Sequence, residues 1–342
     1  MQSAKPPNQY PDFPAIEPVG AEVTRPYWSV MIPTYNNNSY LKQTLESVLQ
    51  QDPGADMMQI EIVDDCSNKS DPESIVREIG TERISIYRQS QNVGQIPNWN
   101  TCISRARGRW VHILHQDDIV LPGFYRRMQQ LLEKEPEVGA AFCRHAFMDE
   151  DGHLIDLSPI ERRTPGILFD WLDSIAVRQR IQFPSIVVGR ETYEKLGGFC
   201  PDAFSAADWE MWKRIAANCP IAFEPEILAY FRLHLASESS RLIKSGANIA
   251  HTRAAIDVSK TYLPQANVRE LSQQANRNYA RYAIGIALQS LSREDFSSAI
   301  AQTMEAIECD YRIITNRLFF SLGKCYVKKW LTKKLQFKRV LQ

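Results

Sequence analysis

The sequence predicts an α/β protein in which an open, mostly parallel sheet flanked by helices is followed by a helical extension. Three observations predict this class. Short apolar runs of strand length alternate with stretches of helical periodicity before about residue 120, as in proteins with parallel sheets. A polar or acidic cluster follows each apolar run, where such sheets bind their ligands. Beyond about residue 248 only helical periodicity remains.

The elements follow one another after a proline-rich start. Residues 1–27 contain six prolines and few large aliphatic side chains, so we expect them to be extended or disordered and to carry no chemistry. The predicted strands are 27–32, 60–63, 84–87 and 110–114, and the helices between them cover 41–49, 72–79 and 98–106. Asp71 precedes Pro72 and is expected to cap the second helix.

The fourth strand runs directly into Asp117 and Asp118. Charges are excluded from protein interiors unless they are paired or bind a metal, so two acids at the end of a buried strand indicate a ligand site. The alternative is a solvated turn with Asp118 close to a helix N-terminus, where a carboxylate is also favourable. This stretch alone leaves both interpretations open.

Composition excludes several classes of function. The 342 residues carry 40 basic and 40 acidic side chains, so a zero net charge gives little reason to expect nucleic-acid binding. Seven dispersed cysteines without metal spacing suggest reduced thiols. We find neither an apolar signal-peptide core nor a run long enough to span a bilayer, and expect a cytoplasmic protein. Neither GxGxxG nor GxxxxGKS occurs, so a bound nucleotide would depend on Tyr, Asp and Asn side chains with a metal at its phosphates.

An ordered series of motifs resembles the family 2 inverting glycosyltransferases of the GT-A fold. The matching segments are Ile32-Pro33-Thr34-Tyr35-Asn36, Val63-Asp64-Asp65-Cys66-Ser67, Asn92-Val93-Gly94, His115-Gln116-Asp117-Asp118, Gly197-Gly198-Phe199 with Ala207-Asp208-Trp209-Glu210-Met211-Trp212, and Tyr230-Phe231-Arg232-Leu233-His234. The resemblance covers roughly residues 28–240. It implies a nucleotide-binding half at 28–120 and an acceptor half at 121–240, followed by a helical tail at 241–342.

The resemblance implies a nucleotide pocket at the ends of the first three strands. Tyr35 would lie against the base and Asp64 would accept a hydrogen bond from its ring N–H, while Pro33 and Thr34 shape the loop. The structural alternatives are an ordinary loop aromatic for Tyr35 and an Asx-turn for Asp64 and Asp65. Asn92 and Gly94 would belong to a turn near the ribose and phosphate, where Gly94 allows close backbone approach or a positive φ.

The same resemblance implies a divalent cation, Mn²⁺ or Mg²⁺, at the acidic motif. Asp118 would be a metal ligand, while Asp117, assigned to the nucleotide, is left open between ribose and metal. Many relatives carry an acid where this chain has His115, which we interpret as no more than a polar wall residue. His234 would join the metal or diphosphate when the acceptor loop orders, although a lone histidine near aromatics is commonly structural.

Asp208 is the implied catalytic base, at the start of a helix whose Trp212 and Ile215 face inward. A carboxylate there would remove the acceptor proton during in-line attack on the anomeric carbon. The structural alternative is a helix N-cap, and both roles are compatible. Glu210 is interpreted as a structural or acceptor-side partner.

We therefore expect transfer of a sugar from a nucleoside diphosphate sugar, with UDP-sugars favoured, to a glycan or lipid-linked acceptor in polysaccharide or glycoconjugate synthesis. The alternative from another class is a catalytically inactive relative that keeps the nucleotide pocket and acts as an interaction scaffold. A metal-dependent nucleotidyltransferase would need a basic, Gly-rich phosphate loop near the N-terminus, and residues 33–38 contain neither Gly nor Lys.

The tail shows two helical stripes and a basic end. The stripes are Tyr279, Tyr282, Ala283, Ile286 and Ala287, and then Phe296, Ala299, Ile300, Met304 and Ile307, with Asp295 between them. They resemble one tetratricopeptide-like hairpin, which cannot bury its own face alone. Residues 317–342 interleave aromatic and basic side chains, which predicts either peripheral contact with the inner face of an anionic membrane or packing on a domain with lysines in solvent.

Overall fold

A computed structural model describes residues 13–234, 237–317 and 319–326. Of the proline-rich start, residues 13–27 are described, whereas residues 1–12 lie outside the described part of the chain. The described residues form two compact units. One consists of residues 13–175 and 179–234, and the other of 176–178 and the described residues from 237 onward.

The first unit contains one mixed sheet. Its strands are β1 Trp28–Thr34, β2 Met58–Asp64, β3 Ile84–Arg88, β4 Trp110–Ile113, β5 Ile119–Val120, β6 Ala140–Met148, β7 Leu154–Leu157, β8 Gly166–Ile167, β9 Ile186–Gly189 and β10 Ile221–Arg232. The strand order is β3-β2-β1-β4-β9-β6-β10-β5, with β7 paired to β6 and β8 to β10.

Helices connect these strands. They are α1 Leu41–Leu49, α2 Pro72–Ile79, α3 Gln95–Arg105, α4 Phe124–Lys134, α5 Leu172–Val177, α6 Arg190–Leu196 and α7 Ala207–Asn218, with 3₁₀ turns at Phe183–Ser185 and Pro201–Ala206. The predicted α/β class and the order of the first four strands are confirmed. Helix α2 has the predicted bounds, and the Asp71 side chain caps it by accepting a hydrogen bond from Glu73 N at 3.2 Å.

The four strands predicted from the sequence, β1 to β4, are parallel to one another, whereas the remaining strands include antiparallel pairs. Strands β1 to β4 pair only in parallel with one another, in the order β3-β2-β1-β4. Strand β9 then runs antiparallel to both β4 and β6, and β5, β7 and β8 also pair antiparallel. Since β9 is antiparallel to both neighbours, β6 runs in the same direction as β4. Strand β10 is parallel to β6 and therefore ends at the same sheet edge as β1 to β4.

The core lies on both faces of the central strands. Every residue of β1 and β2 is buried, because helices cover the sheet on both sides. Val30 and Ile32 belong to the same apolar cluster as Leu41 and Leu45 of α1, and full burial of such a side chain stabilises the fold by about 1.5–3 kcal/mol. The core thus fixes the strand ends whose loops build the site.

The second unit is helical. It contains α8 Glu238–Ser245, α9 Ala247–Ser259, α10 Val268–Ser292 and α11 Phe296–Cys309, followed by a 3₁₀ turn at Tyr311–Thr315. Of the first predicted stripe, Ala283, Ile286 and Ala287 are buried, whereas Tyr282 is 52% exposed. Asp295 lies in the break between α10 and α11 and caps α11 through Ser298 N at 3.0 Å.

The predicted second stripe is wrong in part. Ile300 and Met304 are 51% and 63% exposed, and the buried face of α11 instead carries Ala299, Gln302 and Ala306. Gln302 lies inside because its amide donates to Ile243 O and to Asn248 Oδ1, both at 2.7 Å. A polar side chain whose NH₂ group has two acceptors therefore takes an inward position, although its Oε1 has no hydrogen-bond partner among the described residues.

The predicted basic membrane-binding segment, 317–342, lies mostly outside the described residues, which end at 326. Among the residues that the structure does describe, none of the helices has the length and apolar character needed to cross a bilayer.

Candidate functional site

The loops that follow β1 and β2 are joined through the carboxylate of Asp64. Thr34 Oγ1 donates to its Oδ1 at 3.0 Å, Ser67 donates through both N and Oγ, and Arg88 Nε donates to Oδ2 at 3.0 Å. Asp64 is fully buried, and its oxygens have about four lone-pair positions in all. A nucleobase N–H would therefore bind Asp64 only in place of one of these donors.

Tyr35 projects from the β1 loop with 46% of its surface exposed. Its backbone N–H donates to Gln116 Oε1 at 3.2 Å, which ties this loop to the acidic turn after β4. Asn36 has a φ of 50°, and its Oδ1 accepts hydrogen bonds from Asn68 N and Lys69 N at 2.8 Å each. The predicted base-stacking residue thus stands on a loop that neighbouring loops hold in place. Pro33 lies within buried β1.

Asp65 was given only the structural interpretation of an Asx-turn from the sequence, and in the structure it holds the turn that contains Asn92 and Gly94. Its carboxylate accepts hydrogen bonds from Val93 N at 2.7 Å, Gly94 N at 3.0 Å and Asn92 Nδ2 at 3.0 Å. Burial raises the pKa of Asp65 above its ordinary value, although these N–H donors lower it. Gly94 has a φ of 89°, as its position in the turn predicted. The sequence signal for this second role was the presence of two adjacent acids, Asp64 and Asp65, at the end of the second strand.

The acidic motif forms a turn that α1 fastens to the sheet edge. Asp118 N donates to His115 O at 3.2 Å, and Thr44 Oγ1 donates to the carbonyl oxygens of Gln116 and Asp118 at 3.0 and 2.8 Å. A ring nitrogen of His115 and carboxylate oxygens of Asp117 and Asp118 lie within 4.8 Å of one another. The turn therefore gathers three groups that commonly ligate cations.

Asp118 is the best-defined candidate ligand of a cation. It is fully buried, and its Oδ1 accepts a hydrogen bond from Arg232 N at 2.9 Å. Its Oδ2 is buried and has no hydrogen-bond partner among the described residues. Burial, together with the nearby charge of Asp117, raises the pKa of Asp118 well above its ordinary value. An orphaned carboxylate oxygen costs about 1–3 kcal/mol or more, and a hard divalent cation would satisfy it, so these residues fit such an ion.

The end of β10 contacts the same turn. His234 Nε2 lies 2.9 Å from Asp117 Oδ2, and Arg232 Nε donates to Asp117 O at 2.9 Å. The guanidinium of Arg232 stacks 4.2 Å above the Tyr40 ring centroid. His234 was predicted as a metal ligand beside Asp118, and the structure places it against Asp117.

Asp208 lies in the first turn of α7, after a 3₁₀ turn in which Phe204 has a φ of 50°. Its Oδ1 accepts from Trp209 N at 2.6 Å, and its Oδ2 accepts from Gln179 Nε2 at 2.8 Å. The side chain is partly exposed. Burial raises the pKa of Asp208 to about 6 despite these hydrogen bonds. A carboxylate with a pKa this close to neutrality suits a general base.

An aromatic cluster joins α7 to the acidic turn. The Trp212 ring lies 5.6 Å from that of Phe183, and Phe183 lies 4.3 Å from the His115 imidazole. Trp99 of α3 covers His115 on another side, with ring centroids 5.4 Å apart. The helix that carries Asp208 is thus positioned through packed rings relative to the acidic turn.

Glu210 has the structural role that was one of its two interpretations. It forms a buried ion pair with Arg214 at 2.9 Å. Arg214 also donates to Gly198 O at 2.8 Å and to Leu196 O at 2.5 Å. The pair therefore holds the Gly197-Gly198 loop against α7.

Comparison with known proteins gives the family. A family model described as glycosyl transferase family 2 matches residues 29–185. An uncharacterised glycosyltransferase of Methanocaldococcus jannaschii is 27% identical over 201 residues, which cover 58% of this chain and 67% of that protein.

Solved structures give the fold. The TarS 1–349 structure from S. aureus has a TM-score of 0.59 at 14% identity and covers 91% of both chains. The mannosyltransferase PcManGT of Pyrobaculum calidifontis, solved with GDP-Man and Mn²⁺, has a TM-score of 0.52 at 19% identity, with 86% of this chain and 88% of that one covered. The motif order, the strand-end site and these similarities agree: residues 29–185 match the glycosyl transferase family 2 model, and the chain has the GT-A fold.

Proposed function

We propose that this glycosyltransferase moves a sugar from a nucleoside diphosphate sugar to a hydroxyl of a glycan or lipid-linked acceptor, with inversion at the anomeric carbon. A UDP-sugar is the first donor to test. TarS has been solved with UDP and with UDP-GlcNAc, and PcManGT with GDP-Man and Mn²⁺. These complexes support a nucleotide-sugar donor as the substrate class.

One observation carries the proposal: the buried, unpartnered Oδ2 of Asp118 in a turn shared with Asp117. In our proposal Asp118 holds Mn²⁺ or Mg²⁺ and Asp117 contacts the ribose or the same ion. The ion would supply Lewis-acid stabilisation of the leaving diphosphate. His234, already 2.9 Å from Asp117 Oδ2, would join the ion or the diphosphate.

The loops after the first three strands would hold the nucleoside. Tyr35, on its exposed loop, would lie against the base. Asp64 would accept a base N–H in exchange for one of its present donors, while Pro33 and Thr34 fix the loop. Asn92 and Gly94, held by Asp65, would border the ribose and phosphate.

Asp208 would act as the base. Its carboxylate takes the proton of the acceptor hydroxyl as that oxygen attacks the anomeric carbon from the face opposite the diphosphate. The bond between the anomeric carbon and the phosphate oxygen breaks, and its electron pair leaves with the nucleoside diphosphate. Because one displacement occurs, the configuration inverts. The proposed base already has two hydrogen-bond donors, Gln179 Nε2 and Trp209 N, which fix the carboxylate and leave lone pairs free.

All of these residues fall within 28–240, which we propose as the catalytic domain, with nucleotide and acceptor halves meeting near residue 120. We also propose a cytoplasmic protein that reaches the inner membrane face through the basic residues of 317–342. Sedimentation with anionic and neutral vesicles tests that contact. Equal sedimentation with both vesicle types would contradict it.

The deciding experiment is calorimetric binding of UDP, GDP and dTDP with and without Mn²⁺. We expect metal-dependent binding of one of them, abolished in Asp118→Ala and retained in Asp151→Ala, a change at an exposed acid of another turn. Conversion of the matching sugar nucleotide, with the anomeric configuration of the product read by NMR, then tests transfer and inversion. Absence of binding by all three would contradict the proposal, whereas binding without conversion of the matching sugar nucleotide would favour the inactive-scaffold alternative.

A further inference from the structure

We propose that His115 is a metal ligand, so that one imidazole nitrogen, together with carboxylate oxygens, holds the cation of this glycosyltransferase. This rests on the proposed function, because it concerns the ion that binds the donor diphosphate. It also replaces the interpretation of His115 as a wall residue. The consequence is a site with a preference for Mn²⁺ or a similar transition metal over Mg²⁺.

The first support is the geometry of the turn. A ring nitrogen of His115 and one carboxylate oxygen each of Asp117 and Asp118 lie mutually within 4.8 Å. Ligands on opposite sides of an ion with metal–ligand distances near 2.1 Å are about 4.2 Å apart. Small rotations of the two carboxylate side chains therefore suffice to bring all three atoms to one ion. The hydrogen bond from Asp118 N to His115 O, 3.2 Å long, closes the turn that presents them together.

The second support is a buried carboxylate oxygen without a hydrogen-bond partner in the triad of His115, Asp117 and Asp118. Asp118 is fully buried and its Oδ2 has no hydrogen-bond partner among the described residues. A buried carboxylate oxygen without a donor is strongly destabilising. A cation at the triad removes that cost, and the nearest further ligand atoms it meets belong to His115 and Asp117.

The third support is the way His115 is held. Its imidazole stands against the Trp99 ring at 5.4 Å with an interplanar angle of 22°, and against the Phe183 ring at 4.3 Å. Its Nε2 is buried without a hydrogen-bond partner in the described part of the chain. Packing thus fixes the ring, so that little side-chain entropy is lost when one of its nitrogens binds an ion.

The ligand set decides which ions suit the site. Imidazole nitrogen suits transition metals such as Fe²⁺, Ni²⁺ and Zn²⁺, whereas Mg²⁺, Ca²⁺ and Mn²⁺ suit sites made of carboxylate, carbonyl and water oxygens. Of those three, Mn²⁺ is the transition metal, so a single nitrogen ligand among oxygens favours it over Mg²⁺. His234 is the competing nitrogen donor in this region. Its Nε2 already faces Asp117 Oδ2 at 2.9 Å. Of the two roles proposed for His234 above, the ion and the diphosphate, this inference therefore assigns it to the diphosphate, with its imidazole orienting the Asp117 carboxylate.

The test is pulsed EPR of Mn²⁺ bound to the full-length chain together with the nucleoside diphosphate that binds in calorimetry. We expect a nitrogen hyperfine coupling of a directly bound imidazole in the wild type. It should persist in His234→Gln and in His153→Gln, a control in a second, exposed Asp/His turn. It should vanish in His115→Phe, which keeps a ring between Trp99 and Phe183, and Mn²⁺ affinity there should fall by about 10-fold or more.

Several outcomes overturn the inference. The wild type and His234→Gln decide it even if His115→Phe does not fold. A wild-type spectrum without nitrogen coupling while Mn²⁺ and nucleotide are bound removes His115 and leaves the proposed function intact. Loss of the coupling in His234→Gln with its retention in His115→Phe assigns the nitrogen to His234. Failure of every nucleoside diphosphate to bind removes the proposed function itself.

Discussion

His234 Nε2 lies 2.9 Å from Asp117 Oδ2 across a separation of 117 residues in the sequence. This contact, with the two hydrogen bonds that Arg232 makes to the backbone oxygen of Asp117 and the side chain of Asp118, fastens the end of β10 to the acidic turn. The last motif of the family pattern and the metal motif are therefore one structural unit. A change in either is expected to alter the other.

Arg232→Lys tests this connection. The guanidinium donates to Asp117 O, Gln43 Oε1 and the backbone of the hairpin at residues 149–150, and a lysine cannot reproduce that fork. We expect the free energy of unfolding to fall by about 1.5–3 kcal/mol and metal-dependent nucleotide binding to weaken. Urea unfolding and calorimetry measure the two effects. Arg241→Lys, at an exposed helix ion pair, should change neither, and equal behaviour of both variants would contradict the connection.

The Asp118→Asn variant should weaken metal-dependent nucleotide binding without lowering the thermal stability of the fold. The amide oxygen still accepts the hydrogen bond from Arg232 N, and the unpaired buried charge disappears. We expect metal-dependent nucleotide binding to fall by more than the roughly 10–100-fold that loss of an outer partner costs, while the thermal midpoint does not decrease. Unaltered Mn²⁺-dependent binding in calorimetry would exclude Asp118 as a ligand. Asp151→Asn serves as the exposed control.

The pH profile of transfer depends on Asp208. Its pKa is raised to about 6, and a base acts only when deprotonated, so kcat/KM should be level above that pH and fall about tenfold per unit below it. Asp208→Asn should lower the rate by roughly 10²- to 10⁴-fold and remove this acidic limb. Asp202→Asn, at an exposed acid of the preceding 3₁₀ turn, is the matched control. An unchanged profile in Asp208→Asn would leave the mechanism without its base.

The same raised pKa predicts a stabilising effect of Asp208→Asn. The folded pKa is about 6 against an ordinary 3.8, so the native state binds the proton more tightly, and stability falls as pH rises through this window. At pH 7.5 the ionised carboxylate costs up to about 3 kcal/mol, which the asparagine avoids. The gain should shrink to about half at pH 5. Urea unfolding at both pH values measures it, and a variant less stable than the wild type at pH 7.5 would refute it.

We predict that position 198 must be glycine, because a larger side chain does not fit there. A Cβ there would lie 2.4 Å from Asn100 Oδ1, the atom that accepts the hydrogen bond from Phe199 N at 2.7 Å. Gly198→Ala should therefore cost about 1–3 kcal/mol. Gly285→Ala is the control, since α10 offers it open space and a helix-interior alanine should add about 0.5–1 kcal/mol. Thermal unfolding of both variants should give shifts of opposite sign.

The sequence alone determined the local elements and the order of the motifs. The cap at Asp71, the bounds of α2, the positive φ of Gly94 and the polar strand ends all depend on residues within a few positions of one another. Periodicity and turn chemistry act over that range, so the pattern predicts them directly. The same ordered motifs were sufficient to identify the family.

Only the tertiary structure decided which of these groups meet. The Asp64 carboxylate accepts hydrogen bonds from Thr34, Ser67 and Arg88. His234, predicted to join the metal or the diphosphate, contacts Asp117. The buried face of α11 differs from the predicted apolar stripe and includes Gln302, whose NH₂ group donates to two acceptors on other helices. Such contacts join residues from distant parts of the chain. Strand order and helix packing set them, because a buried polar group is stable only where the fold brings it a partner.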